Sequence, residues 1–401
     1  TKGLIRFLQD SPTSFHAVAN IAGILREAGF TELHEGEKWE LKKNGSYFVT
    51  RNQSSILSFR IPAGTCGGYQ IMASHSDSPT FKIKENPEME SEGHYIRLNV
   101  EKYGGMLCAP WFDRPLSVAG RLVVKAGNCL VSKLVKVDRD LLMIPNLAIH
   151  FNRQVNDGYK YNPQVDMIPL FGGHDSKGTF MKLVADAAGV HEEDILGHDL
   201  FLYSRMPGTI WGAGNEFFSC GRIDDLQCAF ASLKGFLESE PAEGIAVHAV
   251  FDNEEVGSGT KQGADSTFLM DTLRRINTGL GRDEEAYLMA LASSFMISAD
   301  NAHAVHPNLP DRADPTNRPY MNQGIVIKYN ANQKYTTDAV SAAMFKALCQ
   351  RAGVPFQTFA NRSDMPGGST LGNISNAHVS LNTVDIGLPQ LSMHSPYETA
   401  G

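Results

Sequence analysis

The chain has 401 residues, 42% of them hydrophobic and 20% charged, ordinary globular values that argue against extensive disorder and, at roughly 100 to 200 residues per domain, suggest two domains. A formal net charge of −8 disfavours nucleic acid or an anionic membrane as partner. The six cysteines (Cys66, Cys108, Cys129, Cys220, Cys228, Cys349) are scattered, no apolar stretch approaches the ~20 residues that span a bilayer, and Asp10, Ser11 and Pro12 spoil any signal peptide, so a soluble cytoplasmic protein with reduced thiols is expected.

Ser11-Pro12-Thr13 followed by Phe15, Val18, Ile21, Ile24 and Leu25 predicts an amphipathic helix that ends at Gly29. Strand-like pieces follow at 47–49, 54–59 and 69–74, the last leading into His75-Ser76-Asp77-Ser78-Pro79. From about Asn86 to about Gly212 the texture changes to short β-type runs (95–100, 117–124, 134–137) punctuated by Gly, Pro and Asn, which predicts a separate, mainly antiparallel module. Helix and strand alternate again from Ile223: a helix through Leu226, Phe230, Leu233 and Phe236, a strand over 245–251, a helix around 265–277, a strand from Tyr287 to Ser298, a helix from Thr337 to near Gly353, and a last strand around His378 to Leu381. The expected fold class is α/β, with one domain formed by 1–86 and 213–401 and interrupted by a β-rich insertion at 87–212.

Five segments place a metal-ligand residue type at or just beyond an apolar run: His75 with Asp77, Asp224, the pair Glu254-Glu255, Asp300 and His394. The Glu pair follows the buried-strand run 245–251, and the carboxyl ends of strands form the ligand crevice of open α/β sheets. Each residue alone is weak evidence, since a lone Asp at a helix start usually caps it. Two His and several carboxylates on one framework match the mixed nitrogen and oxygen set of a two-metal hydrolytic site, whose ions sit about 3.5–4 Å apart. Asp77 is spaced to accept the ring N–H of His75 and fix its tautomer. The chain has no Gly-x-Ser-x-Gly, no His-Glu-x-x-His and no Gly-x-x-x-x-Gly-Lys-Ser/Thr phosphate loop, and Gly257-Ser258-Gly259-Thr260 is a turn.

In order along the chain, ASHSDSP, GRIDDLQ, FDNEEVGSGT, SADNAHAVHPN, VIKYNANQKY, DMPGGSTLG and LSMHSPYE, with GGMLCAPWFDRPLSVAGR, LAIHFNRQVNDG and PGTIWGAGNEF between them, resemble the aspartyl aminopeptidases, dinuclear-metal exopeptidases of clan MH. The resemblance implies a catalytic domain with a mixed central sheet flanked by helices, an inserted dimerisation domain, and a homo-oligomer that is a dodecamer built from dimers. It makes Asp224 the bridging carboxylate, His75 and Asp300 the remaining ligands of one metal, Glu255 and His394 those of the other, and Glu254 the general base. It puts Lys328 against an acidic substrate side chain and Gly368, Ser369 and Thr370 along the substrate backbone, and sends His150 to a neighbouring subunit's site. It thus implies two divalent ions per subunit, zinc with cobalt or manganese as substitutes, and removal of N-terminal Asp or Glu from peptides by a metal-activated water. The chain departs from the pattern at Pro396-Tyr397-Glu398, and the family pattern continues past the position of Gly401 into a terminal helix. A dinuclear aminopeptidase or amidase of other specificity, or an inactive scaffold on the same fold, stays open as an alternative.

Overall fold

The computed structural model describes residues 1–64, 67–240 and 243–401, so Cys66 lies outside it, and the other five cysteines are free. Among the described residues no helix is long and apolar enough to cross a membrane. The chain forms two compact units, one of Thr1–Asp77, Thr209–Met393 and Glu398–Gly401, the other of Ser78–Gly208 and His394–Tyr397.

The first unit is built on a nine-stranded mixed sheet, in the order Thr31–Leu33, Ser46–Arg51, Ser55–Arg60, Ile245–Phe251, Tyr69–His75, Phe295–Ala299, Asn382–Gly387, Ile325–Tyr329 and Phe356–Ala360. Strand 245–251 pairs in parallel with 69–75, from Ile245 beside Tyr69 to Phe251 beside His75, and antiparallel with 55–60. Its apolar run is nearly continuous because both faces of the sheet are covered. Alternate side chains serve opposite cores. Val247, Ala249 and Phe251 join Leu57, Phe59 and Ile71 under helices Phe268–Gly279 and Glu284–Ala292, whereas Val250 joins Phe48 and Ile56 under helices Ser14–Glu27 and Ile223–Glu238. A smaller five-stranded sheet links Thr209–Trp211, Phe217–Cys220, Glu398–Ala400, Pro389–Leu391 and Ala302–His303.

Three local expectations need correction. The run Tyr287 to Ser298 is not one strand: Glu284–Ala292 is a helix and only Phe295–Ala299 is a strand. The helical signals lie upstream, where Asp283 caps by accepting the Ala286 N–H at 2.9 Å and Glu284 and Glu285 occupy the first turn. The last large-sheet strand is Asn382–Gly387, not 378–381, and a helix not expected from the sequence, Lys2–Asp10, precedes the one at 14–27. The helix expected after Thr337 starts at Ala339, because Asp338 accepts the Ser341 N–H at 2.7 Å and the Ser341 hydroxyl is bonded in return.

The second unit is a six-stranded sheet with every neighbouring pair antiparallel, in the order Cys129–Lys136, Leu116–Ala126, Ile195–Ser204, Thr80–Ser91, Tyr95–Tyr103 and Leu170–Gly173. Its core gathers Phe81, Leu98, Trp111, Val118, Leu122 and Leu200, with Phe180 and Val184 of helix Phe180–Ala188 packed on it.

Candidate metal centre

Three neighbouring strands of the large sheet end together. His75 is the last residue of strand 69–75, Glu254 follows strand 245–251 by three residues, and Asp300 follows strand 295–299 directly. Parallel pairing in register is what aligns these exits. His75 is 1% exposed, and its Nδ1 lies 3.1 Å from the Asp77 carbonyl oxygen, which can only accept. Nδ1 therefore carries the proton, and Nε2 is directed at the Asp224 Oδ1, 3.4 Å away, and the Asp300 Oδ1, 3.8 Å away. The Asp77 carboxylate, expected to orient the ring, lies beside it as well, its Oδ1 3.4 Å from Nδ1. Its two oxygens accept the backbone N–H groups of Glu254 and Glu255 at 3.1 and 3.2 Å and so hold the turn Glu254–Val256.

Asp224 is extended (φ −78°, ψ 113°), and its N–H donates to Glu398 Oε2 at 3.0 Å, while Gln390 donates to Glu398 Oε1 at 3.3 Å. Asp225, fully buried, accepts the N–H of His75 at 3.0 Å and of Asn301 at 3.2 Å, tying two of the strand exits together. Asp300 is anchored by its N–H on the Ile386 carbonyl at 3.0 Å and by Lys328 Nζ, 3.3 Å from its Oδ2. The close pass of this loop requires Gly387, since a Cβ there would lie 2.1 Å from the Asp300 carbonyl oxygen.

The electrostatics are those of crowded anions. Burial, with the neighbouring charges of Asp300, Asp77 and Asp224, pushes the Glu254 carboxyl up to about 8 against the opposing pull of His75. Burial raises Asp225 and Glu255 well above the carboxylate range, reinforced by Asp300 and Asp224 for Asp225 and by Asp224, Asp77 and Glu254 for Glu255. Burial opposes protonation of His75, yet its bonds to Asp224, Asp300 and Asp77 and the charge of Asp225 hold its pKa well above the ordinary value. An imidazole Nε2 lone pair facing two carboxylates is repelled unless a cation or proton lies between them. His75, Glu254 and Glu255 each bring a donor atom within 4.8 Å of one another, as do His75, Asp225 and Asp300, and Asp224 and Glu255 approach equally. This donor set fits zinc in its chemistry, one imidazole nitrogen with several carboxylate oxygens.

Lys328 is 3% exposed, donates to the Asn301 carbonyl at 2.9 Å besides Asp300, and lies 5.4 Å from the Tyr335 ring centroid. Thr370 is buried at the N-cap of helix Leu371–Ser375 behind Gly368 and Ser369, and the Ser369 hydroxyl donates to Asn373 Oδ1 at 2.6 Å. His394 belongs to the second unit, where its Nδ1 lies 2.5 Å from the Gly105 carbonyl oxygen. His150 is exposed in a turn of that same unit. Sequence reasoning missed Asp225, Asn301, Asp385 and Glu398. The signal for Asp385 was present, a lone acid inside the apolar run Thr383-Val384-Asp385-Ile386.

A profile of the family described as aminopeptidase I zinc metalloprotease (M18) matches residues 7–401. A probable M18 family aminopeptidase 2 of Clostridium acetobutylicum is 50% identical over 408 aligned residues, covering 100% of this chain and 94% of the relative. Among solved structures, a chain of the Ape4–Nbr1 complex superposes with TM-score 0.96 at 35% identity over 100% of this chain and 82% of that one. The S. cerevisiae mApe1 dodecamer gives TM-score 0.87 at 27% identity, covering 100% and 92%.

Proposed function

The chain belongs to the aminopeptidase I (M18) family of zinc metalloproteases, and from that membership we propose that it removes N-terminal Asp or Glu from peptides, using two zinc ions per subunit and Glu254 as the general base. The observation that carries the reading is the convergence of His75, Asp224, Asp300, Glu254 and Glu255 at the strand exits, with the His75 Nε2 aimed into the carboxylates.

By the resemblance, His75, Asp224 and Asp300 would hold one ion, and Asp224, Glu255 and His394 the other. Bound zinc would supply Lewis acidity there, to the scissile carbonyl and to the attacking water. Glu254 takes the proton from that water and returns it to the leaving amine, a role suited to a carboxyl that burial pushes above the ordinary range. Asp77 keeps Glu254 and Glu255 oriented through their N–H groups, and Lys328 holds Asp300. Gly368, Ser369 and Thr370 hold the substrate backbone, and Lys328 is the cation that compensates an acidic first side chain, whose desolvation is otherwise costly.

By the same membership we extend to this chain the assembly of the mApe1 dodecamer, built from dimers through the insertion at 87–212, with His150 reaching a neighbouring site, in the cytoplasm and without nucleic-acid or membrane partners. The test compares hydrolysis of peptides beginning with Asp, Glu, Leu or Lys by the zinc-loaded protein, together with zinc content. A higher kcat/KM on Asp and Glu with two zinc per chain supports the reading. A preference for Leu or Lys removes the acidic specificity only, whereas bound zinc without turnover on any peptide leaves a scaffold protein.

A further inference from the structure

Strand Asn382–Gly387 carries one carboxylate into the middle of the buried sheet, that of Asp385, 1% exposed, and the mechanism above gives it no part. Such a group is costly unless hydrogen bonds replace its water. Here they do, and they come from two separate segments. Oδ2 accepts the Thr336 N–H at 2.6 Å and the Thr336 hydroxyl at 2.8 Å, while Oδ1 accepts the Thr370 hydroxyl at 2.7 Å. The Asp385 N–H adds a fourth bond, donating to the Thr337 hydroxyl at 2.8 Å.

Each segment leads to a residue with a proposed role. Thr336 and Thr337 follow Tyr335, whose ring stands beside Lys328 Nζ, and Lys328 lies on the strand next to that of Asp385, with Ile327 opposite Ile386. Thr370 ends the stretch Gly368-Ser369-Thr370. Its side chain also accepts the Asn373 N–H, and Asn373 Oδ1 takes the Thr370 N–H at 3.3 Å and the Ser369 hydroxyl. The Thr370 hydroxyl therefore joins a helix cap to the sheet. Gly372 permits the closeness of that junction, since a Cβ there would lie 2.7 Å from Asp385 Oδ1 and 2.8 Å from Ser298 Oγ.

We infer that Asp385 is a positioning residue for peptide binding: it clamps the Thr370 cap to the Thr336–Thr337 segment, so that the backbone-holding stretch 368–370 and the Tyr335 wall beside Lys328 keep one relative placement. The inference rests on the proposed role of 368–370. Its mode of action differs from that of a metal ligand, because loosening the clamp misplaces bound peptide without removing a donor from zinc.

The experiment measures kcat, KM and zinc content for Asp385→Ala, Thr370→Val, Thr370→Ser and the Asp385→Ala/Thr370→Val double variant, on the best substrate of the unmodified protein. The clamp acts on bound peptide through the hydrogen bonds it keeps in place, each worth about tenfold in affinity, so KM should rise about tenfold in Asp385→Ala and in Thr370→Val, with zinc unchanged. A change in kcat of under about threefold would mark the effect as one on binding. Thr370→Ser keeps the hydroxyl that reaches Asp385 and should raise KM less than Thr370→Val does. The double variant should be no worse than the worse single variant, because both break one link. Fully additive losses, an unmoved KM in Thr370→Val, or loss of zinc overturn the inference. If Asp385→Ala does not fold, the contrast between Thr370→Val and Thr370→Ser decides alone. An unmodified protein inactive on every peptide removes the functional reading as well; an active one whose KM ignores these changes removes only the clamp.

Discussion

Replacing Lys328 by Met tests whether this chain reads an acidic first residue. Met keeps most of the stem length and loses the ammonium, which lies 3.3 Å from Asp300 Oδ2 and 2.9 Å from the Asn301 carbonyl oxygen at 3% exposure. Two losses are expected, and they separate by substrate. The first is common to all substrates: at an effective dielectric of about 20, a pair at this distance attracts by about 5 kcal/mol. The second concerns acidic substrates alone. Removing the partner of a desolvated charge costs about 2–5 kcal/mol, or about 30-fold to several thousand-fold in rate at 1.36 kcal/mol per tenfold. The assay is kcat/KM on peptides beginning with Asp and with Leu for both proteins, with zinc measured in each. The Asp-to-Leu ratio should fall by at least about 30-fold in Lys328→Met. Equal losses on the two substrates would refute the specificity argument and leave Lys328 as the support of Asp300 that its hydrogen bonds already describe.

Glu254→Gln keeps the shape and loses the proton shuttle, so turnover should fall by about 10²–10⁴-fold with zinc unchanged; lost zinc would exchange the roles of Glu254 and Glu255. Asp224→Ala removes the carboxylate proposed to touch both ions, so zinc per chain should drop, and retention of two ions at unaltered affinity would sink the bridging role. His248 is buried against Phe236, and burial lowers its pKa from 6.5 to about 4. The unfolded chain therefore binds the proton first as pH falls, and stability present above pH 6.5 is lost progressively down to about pH 4. A gap of about 2.5 pH units corresponds to about 3 kcal/mol. His248→Gln, which does not titrate, should lose stability less steeply than the unmodified protein across that window in denaturant unfolding; parallel curves would show that this histidine is not the cause.

Much of the architecture is legible without coordinates wherever burial leaves a period or a run. The strand 245–251 is apolar almost throughout because both faces are packed, and the helix at 223–238 shows its buried stripe at Leu226, Leu233 and Phe236. Reading failed at 287–298, where six consecutive apolar or aromatic residues show no period, and at 378–387, where a buried acid interrupts the strand. The family was legible for a related reason: the metal-ligand residue types sit in short strings at strand exits, and such strings survive as sequence.

What sequence alone determined is thus the residue types, the strand runs and the class of chemistry. Only the tertiary structure decided which atoms meet, because His75, Glu254 and Asp300 come from strands far apart in the chain that adjoin through parallel pairing across the sheet. It also decided that Asp77, beside the His75 ring, grips two backbone N–H groups as well, that Asp225 ties two strand exits, and that Lys328 lies buried on Asp300. Partners of this kind are set by burial and distance in space, and a polar side chain has the same letter whether it is solvated or enclosed.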